Sequence, residues 1–116
     1  MPETATLYGI PNCDQVKKAR TWLANAGYAA QFHDFRKDGL PRELLLAWVK
    51  EAGWETLLNR KGTTWRAIPE DERPTDEAGA IALMLAKPTV IKRPVLARGK
   101  RLLVGFTPET FAAAFA

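Results

Sequence analysis

The chain is short of the residues that build covalent and metal centres. Its 116 residues hold one cysteine and one histidine. One cysteine forms no intramolecular disulfide and assembles no cysteine-based metal site. A small secreted domain ordinarily carries paired cysteines, so the count points to a reducing, cytoplasmic setting. Long hydrophobic runs are also missing. None approaches the ~18 residues that a membrane-spanning helix needs. Met1-Pro2-Glu3-Thr4 shows no basic segment followed by an apolar stretch, which is the mark of a secretory signal. There is no internal repeat, no low-complexity tract and no Gly/Ser linker, so a single domain over 1–116 is expected.

What is present describes a folded domain. Hydrophobic residues make up 47% of the chain, and charged residues, 26%, are spread along it rather than blocked. The formal net charge is +4. The basic residues fall in small groups: Lys17-Lys18, Arg60-Lys61, Lys92-Arg93 and Arg98 to Arg101. A nucleic-acid surface is usually a denser patch, so small anions are the preferred partners and nucleic acid is disfavoured. Of the four tryptophans, most are assigned to packing. His33 has no companion ligands nearby and is read as structural.

Residues Thr4 to Tyr8 read as a strand bounded by Gly9 and Pro11. Asp14 to Ala26 is helical, with Val16, Ala19, Leu23 and Ala26 as its apolar stripe and Gly27 as its stop. Ala30 to Phe35 is a second strand, which gives a βαβ unit with parallel strands. The middle is helical. Pro41 takes a first-turn position with Leu44, Leu45, Ala47 and Trp48 inward, and Gly53 ends that helix. A short turn over Trp54 to Leu58 and a less regular stretch over Asn59 to Ile68 follow. Thr75 then caps a helix carrying Ala78, Ile81 and Leu85, which stops before Pro88. Val95 to Ala97 and Leu102 to Val104 flank Arg98-Gly99-Lys100-Arg101 as a hairpin. Thr107-Pro108-Glu109 opens a last helix with Phe111 and Phe115 inward. The expected fold is α/β and thioredoxin-like. It has a mixed four-stranded sheet and a helical insertion, about 40–88, between strands 2 and 3.

Three segments carry chemistry. Cys13 follows a strand and a Gly/Pro loop and stands where a helix begins. The first-turn N–H groups of a helix lack internal partners and carry the positive end of its dipole, which favours a thiolate. Lys17, one turn on, adds to that field, while Asp14 opposes it or caps the helix. The second segment is Ile91-Lys92-Arg93-Pro94-Val95. Pro94 opens a strand whose ladder it cannot join, X-Pro is the common site of a cis peptide, and Arg93 brings an always-charged planar fork. Its bland alternative is an edge proline beside a solvated arginine. The third is Leu57-Leu58-Asn59-Arg60-Lys61-Gly62-Thr63-Thr64, an anion-binding loop with Arg60 as donor or simply a charged surface turn.

Taken together, Tyr8-Gly9-Ile10-Pro11-Asn12-Cys13-Asp14, Lys17-Lys18-Ala19-Arg20, Leu57 to Arg60 with Gly62-Thr63-Thr64, Ile91 to Val95 and Leu103-Val104-Gly105-Phe106 resemble the ArsC/Spx family, most closely its short YffB-like branch of glutathione-dependent thiol reductases. The resemblance covers nearly the whole chain and implies a thioredoxin-like fold with a helical insertion. It makes Cys13 the nucleophile and Arg60 and Arg93 two of the arginines that hold anion and thiolate in arsenate reductases. Asn12, Lys17 and Pro94 become further contacts for substrate or anion. The third arginine is missing, because Val104-Gly105-Phe106 stands in its place. Gly9-Ile10 replaces His-Asn, and Val16 replaces the serine that follows the nucleophile. Each lost group would donate to the thiolate or the oxyanion, so arsenate reduction is the secondary expectation. Spx regulators carry Cys-x-x-Cys where this chain has Cys13 and Val16, so an internal redox switch is not expected.

The implied activity is that of a thiol/disulfide oxidoreductase with a single nucleophilic cysteine. With no second cysteine to resolve a mixed disulfide, an external thiol is required, and glutathione is the co-substrate this implies, no cofactor being permanently bound. The expected partners are glutathione and a glutaredoxin or an oxidised thiol substrate. No membrane is expected. RNA polymerase enters only by analogy with Spx, as the partner of a non-catalytic module.

Overall fold

The computed structural model describes residues 5–115. Along the chain, β1 (Ala5–Gly9), α1 (Asp14–Ala26) and β2 (Ala30–Asp34) form a βαβ unit whose strands pair in parallel, from Ala5 with Ala30 to Gly9 with Asp34. Thr4, expected in the first strand, lies outside the described residues. Helices α2 (Arg42–Ala52), α3 (Trp54–Leu57), α4 (Thr63–Arg66) and α5 (Glu77–Ala86) follow, with 3₁₀ turns at Glu70–Glu72 and Pro88–Val90. β3 (Val95–Arg98), β4 (Arg101–Val104) and α6 (Pro108–Phe115) complete the chain. The sheet order is β2-β1-β3-β4, with β3 antiparallel to both β1 and β4. This is the mixed α/β, thioredoxin-like sheet that the element order predicts.

The chain forms two compact units, one of residues 1–39 with 93–116 and one of residues 40–92. The core of the first is built by period-two and period-3.6 patterning meeting across the sheet. Ala5 and Leu7 of β1 and Leu96 of β3 face Ala19 and Leu23 of α1 and Phe111 and Ala114 of α6, and all seven side chains are buried. Trp22 packs edge-to-face with Phe111 at 5.8 Å, and so does Phe106 at 4.8 Å. α1 ends at Gly27, whose φ of 79° is the left-handed cap that only glycine takes without cost. Ala26, assigned to the buried stripe, is exposed in that last turn. The hairpin turn Gly99-Lys100 likewise needs a positive φ, 59°, at Gly99. Two arginines of this hairpin are structural. Arg98 donates to the Ala114 carbonyl at 2.8 Å and Arg101 to that of Ala113, which satisfies α6 carbonyls that have no helical partner.

The second unit departs from expectation in its helical registers. Pro41 is the N-cap of α2 rather than its first turn. Its ψ is extended, and its carbonyl accepts the first helical hydrogen bond, from the Leu45 N–H at 3.2 Å. The buried face is Leu45, Trp48 and Val49, and Ala47 is exposed. The cap of α5 is Asp76, not Thr75. Its carboxylate accepts from the Gly79 N–H at 2.8 Å, and a negative charge there also suits the dipole. Ala80, Ile81 and Met84 are inward, whereas Ala78 is exposed and Leu85 only partly covered. The stretch Ala78 to Ala86 is apolar almost all round, so its sequence does not mark which stripe is buried. The 57–59 segment runs antiparallel to 90–92: Lys92 donates to Leu57, and Asn59 donates to Val90.

Candidate active site

Cys13 is the N-cap residue of α1, with φ −101° and ψ 128°, and is partly buried. Its carbonyl accepts from the Lys17 N–H at 2.9 Å, and its own N–H reaches the Ile10 carbonyl at 3.4 Å. The thiol therefore stands ahead of the first turn, and no side-chain cap satisfies the N–H groups there. Asp14 is the first helical residue and not the cap. The loop before it is exposed at Pro11 and Asn12, and Asn12 stands one residue before the thiol.

Gly9 explains how the helix sits on the strand. A Cβ built at Gly9 would lie 2.6 Å from a Val16 γ-methyl, so the end of β1 passes directly beneath buried Val16. β1 pairs with β3 up to Tyr8 and Val95. Arg93 and Pro94 therefore arrive where β1 runs out into the loop that carries Cys13. The Arg93–Pro94 bond is cis, and Pro94 is fully buried. The Pro94 carbonyl accepts from the Gly105 N–H at 2.8 Å, a contact that the sequence reading missed. A ligand pairing with the Pro94 backbone shares that carbonyl with Gly105.

The fold of residues 1–39 and 93–116 thus gathers Cys13, Asn12, Lys17, Arg93 and Pro94 around the C-terminal end of β1. Arg60 belongs to the other unit, on the turn after the 57–59 segment. That turn is closed by the Asn59 side chain on the Lys61 N–H and by the Gly62 N–H on the Asn59 carbonyl. Arg60 is half-exposed and faces Glu55 at 3.8 Å and the ring of Trp65 at 5.9 Å. Neither neighbour was evident from the sequence. Thr64 bonds Thr89 at 2.8 Å, which accounts for part of the Gly62-Thr63-Thr64 motif as architecture. His33 is bonded to the Gly39 carbonyl at 2.7 Å and tilts against Tyr8. Among the described residues no group of three or more His, Cys, Asp or Glu side chains gathers as metal ligands do.

A thioredoxin-like domain whose one cysteine opens the first helix, with a buried cis-proline at the head of the neighbouring strand, defines a class of thiol-bearing α/β proteins. Within that class the chain belongs to the ArsC family, whose pattern matches residues 8–114. A solved structure of the YffB (PA3664) protein is 54% identical, with a TM-score of 0.91, covering 97% of this chain and 99% of its own. An arsenate reductase (ArsC) related protein from Brucella melitensis is 51% identical, with a TM-score of 0.79 over 97% and 94% of the two chains. The global transcriptional regulator Spx of Streptococcus pyogenes is 26% identical over 110 residues, 93% of this chain and 82% of that protein.

Proposed function

We propose that this protein is a glutathione-dependent thiol/disulfide oxidoreductase of the cytoplasm. The single observation that supports it best is the placement of one partly exposed cysteine at the N-cap of α1, ahead of N–H groups that no side chain occupies. The first-turn N–H groups can donate to the charge that develops on sulfur as it attacks and as it leaves. Cys13 as thiolate attacks one sulfur of a disulfide. A new S–S bond forms to Cys13, the old one breaks, and its electron pair departs with the other sulfur as thiolate. Glutathione thiolate then attacks the mixed disulfide, releases Cys13 as thiolate and leaves as the oxidised member of the pair. When the substrate is a glutathionylated protein, the sum is one protein thiol and one glutathione disulfide formed, with one glutathione thiol consumed. Arg93 and Lys17, on the same unit as Cys13, supply positive charge for the carboxylates of glutathione.

Exposure to oxidised glutathione, followed by mass spectrometry of the intact protein, is expected to give one adduct on Cys13 and none on Cys13→Ser. An unmodified wild-type protein under those conditions overturns the reading. The similarity to an arsenate reductase related protein keeps a second reaction in view. A coupled assay with arsenate, glutathione and glutaredoxin that shows turnover lost in Arg93→Ala would replace a disulfide substrate with an oxyanion. The similarity to Spx supports a regulatory reading, tested by recovery of RNA polymerase from lysate independently of Cys13.

A further inference from the structure

We propose that the groove on the outer face of α1 receives the polypeptide that carries the substrate disulfide, and that this polypeptide is acidic with an apolar side chain near its cysteine. The inference rests on the reading of Cys13 as the attacking thiol and names what it attacks.

Lys17, Lys18, Thr21, Trp22, Asn25 and Phe106 line a shallow groove of about 410 Å³. It starts at the site. The Lys17 N–H bonds the Cys13 carbonyl, so the near end is one helical turn from the thiol. The opposite wall, Phe106, follows Gly105, whose N–H holds the Pro94 carbonyl. The floor is aromatic and held from behind, since Trp22 and Phe106 are partly exposed and both pack edge-on against buried Phe111.

The rim is cationic. Several other basic side chains of this unit are engaged: Arg20 lies 4.4 Å from the Phe32 ring centre, and Arg98 and Arg101 hold α6 carbonyls. Arg36, Lys37 and Lys100 are exposed on the turns after β2 and between β3 and β4 and do not line the groove. Lys17 and Lys18 are exposed, and among the described residues neither forms an ion pair. No carboxylate lines the groove. The complement of two such lysines over an aromatic floor is a segment with carboxylates beside an apolar side chain.

Length decides between glutathione and a longer chain. At 1.5 Å per residue, Asn25 lies roughly 18 Å along the helix from Cys13. A tripeptide whose central sulfur sits on Cys13 ends well short of that. An extended segment gains about 3.3 Å per residue and covers it with five or six residues on one side of its cysteine.

The test uses two peptides of equal length whose single cysteine is joined to thionitrobenzoate, so that Cys13 attack releases a coloured thiolate. One flanks the cysteine with Glu and Leu, and the other replaces each Glu by Lys. The acidic peptide is expected to react about tenfold faster at low ionic strength, with the gap closing at high salt, and Lys18→Glu or Thr21→Glu is expected to abolish the preference. A serine analogue of the acidic peptide is expected to shift the backbone amide NMR signals of residues 17–25 without any thiol chemistry. Equal rates for the two peptides, with no such shifts, overturn the groove. Shifts without thionitrobenzoate release overturn the role of Cys13 and leave the groove as a binding surface.

Discussion

Gly9 and Val16 are one packing decision taken at two positions. A methyl group at residue 9 would sit 2.6 Å from a Val16 γ-carbon, closer than any relaxed contact allows. Both positions differ from the arsenate reductase pattern, which carries a side chain at the first and a serine at the second. The valine fills the space that a side chain on β1 would need, so the two differences come together. Gly9→Ala is expected to destabilise the protein by about 1–3 kcal/mol through overpacking. Adding Val16→Ala should cost less than the two single changes summed, because each relieves the other. Urea denaturation of the four proteins in this cycle reads the coupling directly, and strict additivity would contradict the shared space. At Arg60 the neighbour is Glu55, 3.8 Å away with both side chains largely in water. Such a pair is weak, so its effect on folding is small. Its effect on a ligand is larger, since the carboxylate competes with any anion for the guanidinium. Glu55→Gln is expected to tighten binding of inorganic phosphate at Arg60 several-fold, and Arg60→Ala to weaken it, with calorimetry as the measurement. Unchanged affinity in both variants would remove Arg60 from the binding surface.

At the scale of elements, legibility followed the sharpness of the local signal. The bounds of α1 were readable because Val16, Ala19 and Leu23 recur at helical spacing among polar positions and Gly27 stops it, and only Ala26, exposed in the last turn, departs from the expected stripe. The same pattern placed Cys13 at the helix start. The hairpin was readable because Gly99 falls between two apolar runs. α5 was readable as a helix but not in its facing, since nearly every residue of it is apolar and no polar face breaks the symmetry. Contacts that depend on chain reversal were not readable. Gly105 meets Pro94 only once β3 and β4 have paired, and Glu55 meets Arg60 only across the turn between α3 and the next segment. The cap of α5 shows how narrow the margin is, because Thr75 and Asp76 are both good capping types in adjacent positions. Asp76 alone bonds Gly79. Asp76→Ala is therefore expected to cost about 0.5–2 kcal/mol in thermal or chemical denaturation, and Thr75→Ala much less. The reverse order would restore threonine as the cap.

For the whole chain, the governing fact is that β1 and its antiparallel partner β3 stand nearly the full length of the sequence apart. Leu7 opposes Leu96 in that pairing, and both are buried with Phe111 of α6. The first βαβ unit therefore cannot finish its core from local sequence. Residues 93–116 supply β3, β4 and the aromatic floor against which α1 packs. A chain ending at residue 92 leaves one edge of β1 unpaired and Leu7, Ala19 and Leu23 without their cover, and a sheet of two short strands is marginal in water. Phe111→Ala probes the same dependence without removing backbone. It is expected to cost about 3–5 kcal/mol, since the ring is fully buried and in contact with both Trp22 and Phe106. Against a typical domain stability of about 5–15 kcal/mol, that is a large share. Hydrogen exchange followed by mass spectrometry distinguishes a local from a shared effect. Amides of β1, α1 and β3 in Phe111→Ala are expected to lose protection together, because a single buried cluster holds all three. Loss confined to α6 would mean that the N-terminal βαβ unit is self-sufficient and that the long-range pairing only adds to a core already made.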